Sequence, residues 1–227
     1  MEAGAAVGGA RVELSDTPLI VWLYGDITCP WTYLVLARLR RLEERLEGRF
    51  ALGWRPLPIT PLSPGSEPER EGRDVARGHG SAPGSAPEPA EFERMGLPCA
   101  SAPSASIAGD ALRAVEFARD LDGNLARSVL DGLFRHGFAA GARLHSRQGL
   151  LDVCEELGLD REGLTHALTD GRYDPELERA ETEAELYGIE SVPTLLAGKS
   201  KLVGAAPEQL LEAVIRRALE EASEPAT

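Results

Sequence analysis

Cysteine is scarce in this chain of 227 residues: there are three. So small and odd a number does not describe a disulfide scaffold, and each thiol is expected to be reduced unless it does chemistry. Long apolar runs are missing too. The strongest one near the start, Leu19 to Tyr24, is far too short to cross a bilayer. Met1-Glu2-Ala3-Gly4 begins no basic segment with an apolar stretch behind it, as a secretory leader would. These features lead to the expectation of a cytoplasmic protein with no membrane partner. Positive charge is in deficit: the net charge is -13, and residues 106–190 alone carry eighteen acids against nine bases. Such a surface repels phosphate backbones, so nucleic acid is not an expected partner. No glycine-rich phosphate loop follows a strand, because Gly78, Gly80 and Gly84 fall in a low-complexity stretch. The histidines, His79, His136, His145 and His166, share no ligand spacing with the cysteines, and no metal is expected.

What is present reads as an α/β protein. Leu19-Ile20-Val21-Trp22-Leu23-Tyr24 is a short apolar run of strand formers, ended by Gly25 and Asp26. Cys29-Pro30 then opens a helix, since proline at the first helical position has a suitable φ and lacks an N–H that would be orphaned anyway. Val35, Leu39, Leu42 and Leu46 give that helix one apolar stripe, and Phe50 to Leu57 reads as a second strand. Residues 62–90 hold five glycines, five prolines and four serines. That composition buries too little to offset its ordering entropy, which predicts a mobile loop extending over 62–105.

Residues 106–187 are patterned as helices almost throughout. Stripes run through Ala111, Val115 and Ala118, through Leu125, Val129, Leu133 and Phe134, and through Leu150, Leu151, Val153, Cys154 and Leu157. Ser146, Asp160 and Asp174 are expected as N-caps and Gly158 as a stop. Strand chemistry returns at Thr194 to Ala197 and Lys201 to Gly204, around a three-residue loop Gly198-Lys199-Ser200 that suits a hairpin. Pro207 opens a last helix with Leu210, Leu211, Val214, Ile215 and Leu219 facing inward. The order is strand, helix, strand, helical block, hairpin, helix. It predicts a flexible tail over 1–17, one domain built from 18–61 and 188–222, and a helical insert between its halves.

The turn Asp26-Ile27-Thr28-Cys29-Pro30-Trp31-Thr32-Tyr33 carries the chemistry. A cysteine at a helix start meets unpaired backbone N–H groups and the positive end of the helix dipole. Both favour thiolate, so the Cys29 pKa is expected below the free value of about 8.5. The Thr32 hydroxyl is placed to donate to the Cys29 sulfur, and Trp31 to cover the turn. A second feature, Glu190-Ser191-Val192-Pro193-Thr194, puts proline at a strand start, where its missing N–H is tolerated and its peptide bond can be cis. Cys99, in a loop, is a remote candidate for resolving Cys29. Cys154 reads as a small core residue, and His136 has little claim on the site.

The pairing of D-x-x-C-P-W with V-P-T resembles the DsbA-like thioredoxin family, and within it the FrnE-like and 2-hydroxychromene-2-carboxylate isomerase-like branch. The likeness runs over roughly residues 18–220 and includes Arg113-Ala114-Val115-Glu116-Phe117-Ala118 and Lys201 to Pro207. It implies a thioredoxin fold with an inserted all-helical subdomain, and Cys29 as nucleophile with Thr32 beside it. It further implies a substrate surface of Pro30, Trp31, Val192 and Pro193, and a cis Val192–Pro193 bond facing Cys29. The Val192 backbone would then pair with an extended substrate chain. Dithiol members carry a second cysteine where this chain has Thr32. The expected activity is therefore thiol-disulfide exchange through one thiolate, released by an external thiol. The expected partner is a thiol or disulfide substrate, with glutathione or another low-molecular-weight thiol as co-substrate and no bound cofactor. Two other readings stay open: a glutathione-type transferase or isomerase, and a redox-inert peptide-binding module.

Overall fold

The computed structural model describes residues 18–59, 78–79, 88–100, 102–140 and 143–223. The expected tail over 1–17 lies outside them, as does most of the expected loop at 62–90. Strand β1 (Leu19–Gly25) forms where the apolar run predicts it. It pairs in parallel with β2 (Phe50–Pro56) in the register Leu19 to Phe50 through Gly25 to Pro56. Helix α1 (Pro30–Arg45) makes the crossover between them, as a parallel pair requires. Its stripe of Leu34, Val35, Leu39 and Leu42 is wholly buried, at roughly 2 kcal/mol for each side chain removed from water.

The other edge of β1 takes β5 (Thr194–Ala197) in antiparallel register, and β5 continues into β6 (Ser200–Val203). The four-stranded sheet is ordered β2-β1-β5-β6, so strands from the two ends of the chain meet at its centre. Helix α8 (Glu208–Ser223) closes the domain with Leu211, Ile215, Ala218 and Leu219 buried. The hairpin loop has two residues, Gly198 and Lys199, where three were expected. Ala197 pairs directly with Ser200, and Gly198 supplies the positive φ (+56°) that so tight a turn needs. Leu210, expected to face inward, is exposed.

Between the two halves lie α3 (Ala108–Leu121), α4 (Gly123–Phe138), α5 (Arg147–Glu156), α6 (Arg161–Thr169) and α7 (Asp174–Leu186). They form the expected helical insert. Ser146 and Asp160 cap their helices through Gly149 and Gly163 N–H groups, and Gly158 stops α5 at φ +97°. Asp174 does not cap α7. It is the first residue of the helix and binds Arg113 Nε at 2.6 Å instead. Asp122 caps α4, accepting from the N–H groups of Asn124 and Leu125.

The stretch assigned to a loop over 62–105 contains two ordered pieces. Helix α2 (Pro89–Met95) buries Phe92 against the core and ends on Gly96 in the left-handed region. The loop-forming composition belongs to 62–90, and the seven-residue helix starts where it ends, held by one aromatic. Arg38 then ties α2 to the segment that leads into the last helix, reaching Glu91 at 3.3 Å and the Ala206 carbonyl at 2.9 Å. The second piece is β3 (Gly78–His79), which pairs in parallel with β4 (Ser191–Val192).

Candidate active site

The end of β1 builds one wall of the site. Asp26 is completely buried, and its carboxylate accepts from the Thr28 N–H at 2.6 Å, the Thr28 hydroxyl at 2.7 Å and the Ile59 N–H at 2.6 Å. Three donors offset the cost of burying that group. They also fold the chain into the turn that delivers Cys29 to the helix. Gly25 makes this possible at close quarters: a Cβ there would lie 2.3 Å from the Thr32 methyl and 2.8 Å from the Trp54 ring. Asp26 stands in the D-x-x-C-P-W motif with no chemical role expected of it. An acid two residues before threonine at a strand end was the available signal, since that spacing favours a side-chain turn.

Cys29 is the N-cap of α1. Its backbone is extended (φ -87°, ψ 113°), and Sγ accepts the Thr32 N–H at 3.4 Å. The sulfur therefore satisfies one of the donors a helix start leaves over. The expected hydrogen bond from the Thr32 hydroxyl is not made. That oxygen is buried with no partner in hydrogen-bond geometry, although it stands near enough to the sulfur to favour a negative charge there.

The expected low pKa is reversed. Burial pushes the Cys29 thiol up to about 11, the Thr32 hydroxyl and then the N–H groups of Thr32 and Trp31 pull it down, and the Asp26 carboxylate adds to the rise. Helix-start position is one influence on a thiol, and removal from water is another of opposite sign. At this wholly buried site the second wins, and the resting group is a thiol.

The structure brings together the residues singled out from both ends of the chain. Cys29 and Val192 share a small apolar cluster with Tyr24, Leu57, Ala184 and Ile189, and Trp31 packs against it. This cluster is separate from the main core. The Val192–Pro193 peptide is cis. Pro193 is buried, and its carbonyl accepts from the Gly204 N–H at 2.8 Å. The Thr194 hydroxyl donates to the Ser191 carbonyl at 2.7 Å, closing the turn around the proline. On the backbone edge expected to take a substrate strand, Val192 is paired with this chain's own His79.

The remaining candidates lie elsewhere. Cys154 is buried in α5 as a core residue, with its thiol pushed up to about 12 by burial alone. Cys99 is exposed, and its influence reaches the Tyr33 phenol. His136 lies in the last turn of α4. Among the described residues no group of three or more His, Cys, Asp or Glu side chains is set as metal ligands would be. No helix among them is long and apolar enough to cross a membrane.

Comparison with known proteins agrees with this architecture. A probable DsbA oxidoreductase of Streptomyces coelicolor superposes with a TM-score of 0.69 at 20% identity, over 92% of this chain and 93% of that one. Oxidised BdbD of Bacillus subtilis gives 0.61 at 13% identity, over 91% and 90%. A thioredoxin-like oxidoreductase of Silicibacter pomeroyi gives 0.59 at 15%, over 92% and 91%. At these identities the likeness shows the fold. No curated protein matches the sequence. The model of the DSBA-like thioredoxin domain matches residues 20–216, nearly the whole of the described structure, and the chain belongs to that family.

Proposed function

We propose that the protein is a thiol-disulfide oxidoreductase that works through the single thiol of Cys29. The observation that carries this reading is the placement of Sγ: it caps α1 by accepting the Thr32 N–H, in one apolar cluster with Val192 of the cis-proline turn. A sulfur already held by a helix-end donor needs only solvent access to become a stabilised thiolate. The raised pKa comes first from burial, so opening the cluster removes the main obstacle to ionisation.

The reaction balances without a second protein thiol. The Cys29 thiolate attacks one sulfur of a substrate disulfide, forming a mixed disulfide and expelling the other half as thiolate. A small external thiol then attacks the substrate-derived sulfur of that mixed disulfide, regenerating Cys29 and leaving the substrate paired with the small thiol. Glutathione or a similar low-molecular-weight thiol fills this part, which suits a reducing cytosol. Thr32, where dithiol relatives carry cysteine, supports the sulfur through its N–H. Pro30 and Trp31 are the half-buried residues beside the thiol, and Val192 and Pro193 join the substrate surface once the cluster opens. The FrnE-like and isomerase-like branch is where we place the chain, on its C-P-W-T turn and V-P-T segment.

The test is mixed-disulfide formation with glutathione disulfide, read by mass spectrometry on peptides, followed by turnover with and without added glutathione. Glutathionylation at Cys29, with turnover that needs the added thiol, is the expected result. A Cys29 that forms no adduct while the folded protein still binds extended peptides would replace the proposal with its alternative, a redox-inert binding module. Complete burial of the sulfur and its pKa of about 11 favour that alternative.

A further inference from the structure

A groove of about 220 Å³ lies along α1, lined by Tyr33, Leu36, Arg40, Met95, Asp131 and Arg135 among others. Tyr33 is 4% exposed and its ring stacks on Phe134 and Phe138. Phenylalanine would serve that packing equally well. The hydroxyl is buried with no hydrogen-bond partner, and a buried polar group left unsatisfied is costly unless something else completes it. Burial raises the phenol to about 12, so it is a donor at neutral pH, and it feels the charges of Arg135 and Asp131.

The neighbouring charges narrow what fits. Arg40 is taken by Asp131 at 3.2 Å and by Glu43 at 3.6 Å, and Arg41 by the Met95 carbonyl at 3.0 Å. Arg135 has no ion pair among the described residues. One available guanidinium lining the same groove as an unsatisfied phenol O–H suits one negative charge. Asp131 close by disfavours a second. Leu36, Ala37, Met95 and Leu97 supply an apolar floor. The volume is below that of most drug-sized pockets and admits only a small molecule.

We propose that this groove binds a small amphipathic monocarboxylate, its head between the Tyr33 hydroxyl and Arg135 and its apolar body on Leu36, Met95 and Leu97. The site does not include Cys29. Its failure would leave the thiol reading standing, and the reverse also holds.

The experiment is an NMR titration of the full chain with phenylacetate, with phenylacetamide and phenyl phosphate as the contrasting probes. Phenylacetate is expected to perturb amides in residues 33–41 and 131–135 with a Kd on the order of 1 mM, as about ten non-hydrogen atoms allow. The neutral amide and the dianion are expected to bind at least about tenfold more weakly. Tyr33→Phe and Arg135→Gln are each expected to weaken phenylacetate about tenfold. Equal binding of the amide, or unchanged affinity in both variants, overturns the proposal, as does no perturbation by phenylacetate at several times that concentration. Melting of the Tyr33→Phe protein gives a second reading. A Tm unchanged or raised is expected, because the lost hydroxyl had no partner, whereas a clear fall would show that it has a structural one and would also overturn the proposal.

Discussion

The two buried cysteines occupy opposite kinds of place. Both have no exposed surface, and burial pushes both thiols up, Cys29 to about 11 and Cys154 to about 12. Nothing opposes burial at Cys154, which sits on the apolar face of α5. At Cys29 burial is opposed by the Thr32 hydroxyl and by N–H groups of the first turn of α1. Exposure alone therefore does not separate a chemical cysteine from a structural one. What separates them is what each sulfur would meet if water entered: a set of helix-end donors in one case and an apolar helix face in the other.

The comparison can be broken most decisively by removing the sulfur. Cys29→Ser is expected to reduce thiol exchange to background, while Cys154→Ser leaves it near the wild-type level in protein that is still folded. An exchange assay on both variants decides this. The next effect is in pH. If Cys29 reacts from its buried state, its alkylation rate should rise about tenfold per pH unit, and so about a thousandfold from pH 7 to 10, as thiolate fraction grows below a pKa near 11. A plateau near pH 8 would instead show that the cluster opens before the sulfur reacts.

Stability supplies the smaller effects. Gly25→Ala should cost about 2 kcal/mol by overpacking, since its methyl would meet Thr32 and Trp54, and urea unfolding measures it. Cys154→Ser should cost about 1–3 kcal/mol through a buried hydroxyl without a partner. Cys29→Ser should cost less than about 1 kcal/mol, because serine is a good N-cap and its oxygen can take the Thr32 N–H. The reverse order of these two costs would mean that the capping role is misassigned. Linkage has the same sign at both thiols. Each folded-state pKa lies above the value of a free thiol. The stability gained by keeping the thiols neutral is present in full below about pH 9 and falls as pH rises through 11 and then 12.

Much of the frame was legible because it is written locally. The run Leu19 to Tyr24 reads as a strand, Cys29-Pro30 as a helix start, and Ser146, Gly158 and Asp160 as helix ends, each from neighbours within a few residues. The thiol's ionisation was not legible. The groups that cover Cys29, among them Leu57, Ala184, Ile189 and Val192, are distant in sequence, and no pattern around the cysteine announces them. The complete burial of Asp26 was not legible for a similar reason, because one of its three donors comes from Ile59. The hairpin loop was misjudged by one residue because its length follows from how Ala197 meets Ser200, a pairing that single-strand patterns do not encode.

The joining of β1 to β5 at the centre of the sheet has a consequence for the order of events during synthesis. Roughly 160 residues separate Cys29 from Val192. At about 5–20 residues per second, the ribosome needs on the order of 10–30 s to make them. For that interval the sulfur lacks the apolar cover contributed by Ala184, Ile189 and Val192. The nascent chain thus passes through a period in which Cys29 is open to whatever oxidants and small thiols surround it, and only then is it sealed. An adduct acquired in that interval would have to be shed, or accommodated, when Ala184, Ile189 and Val192 arrive to cover the sulfur.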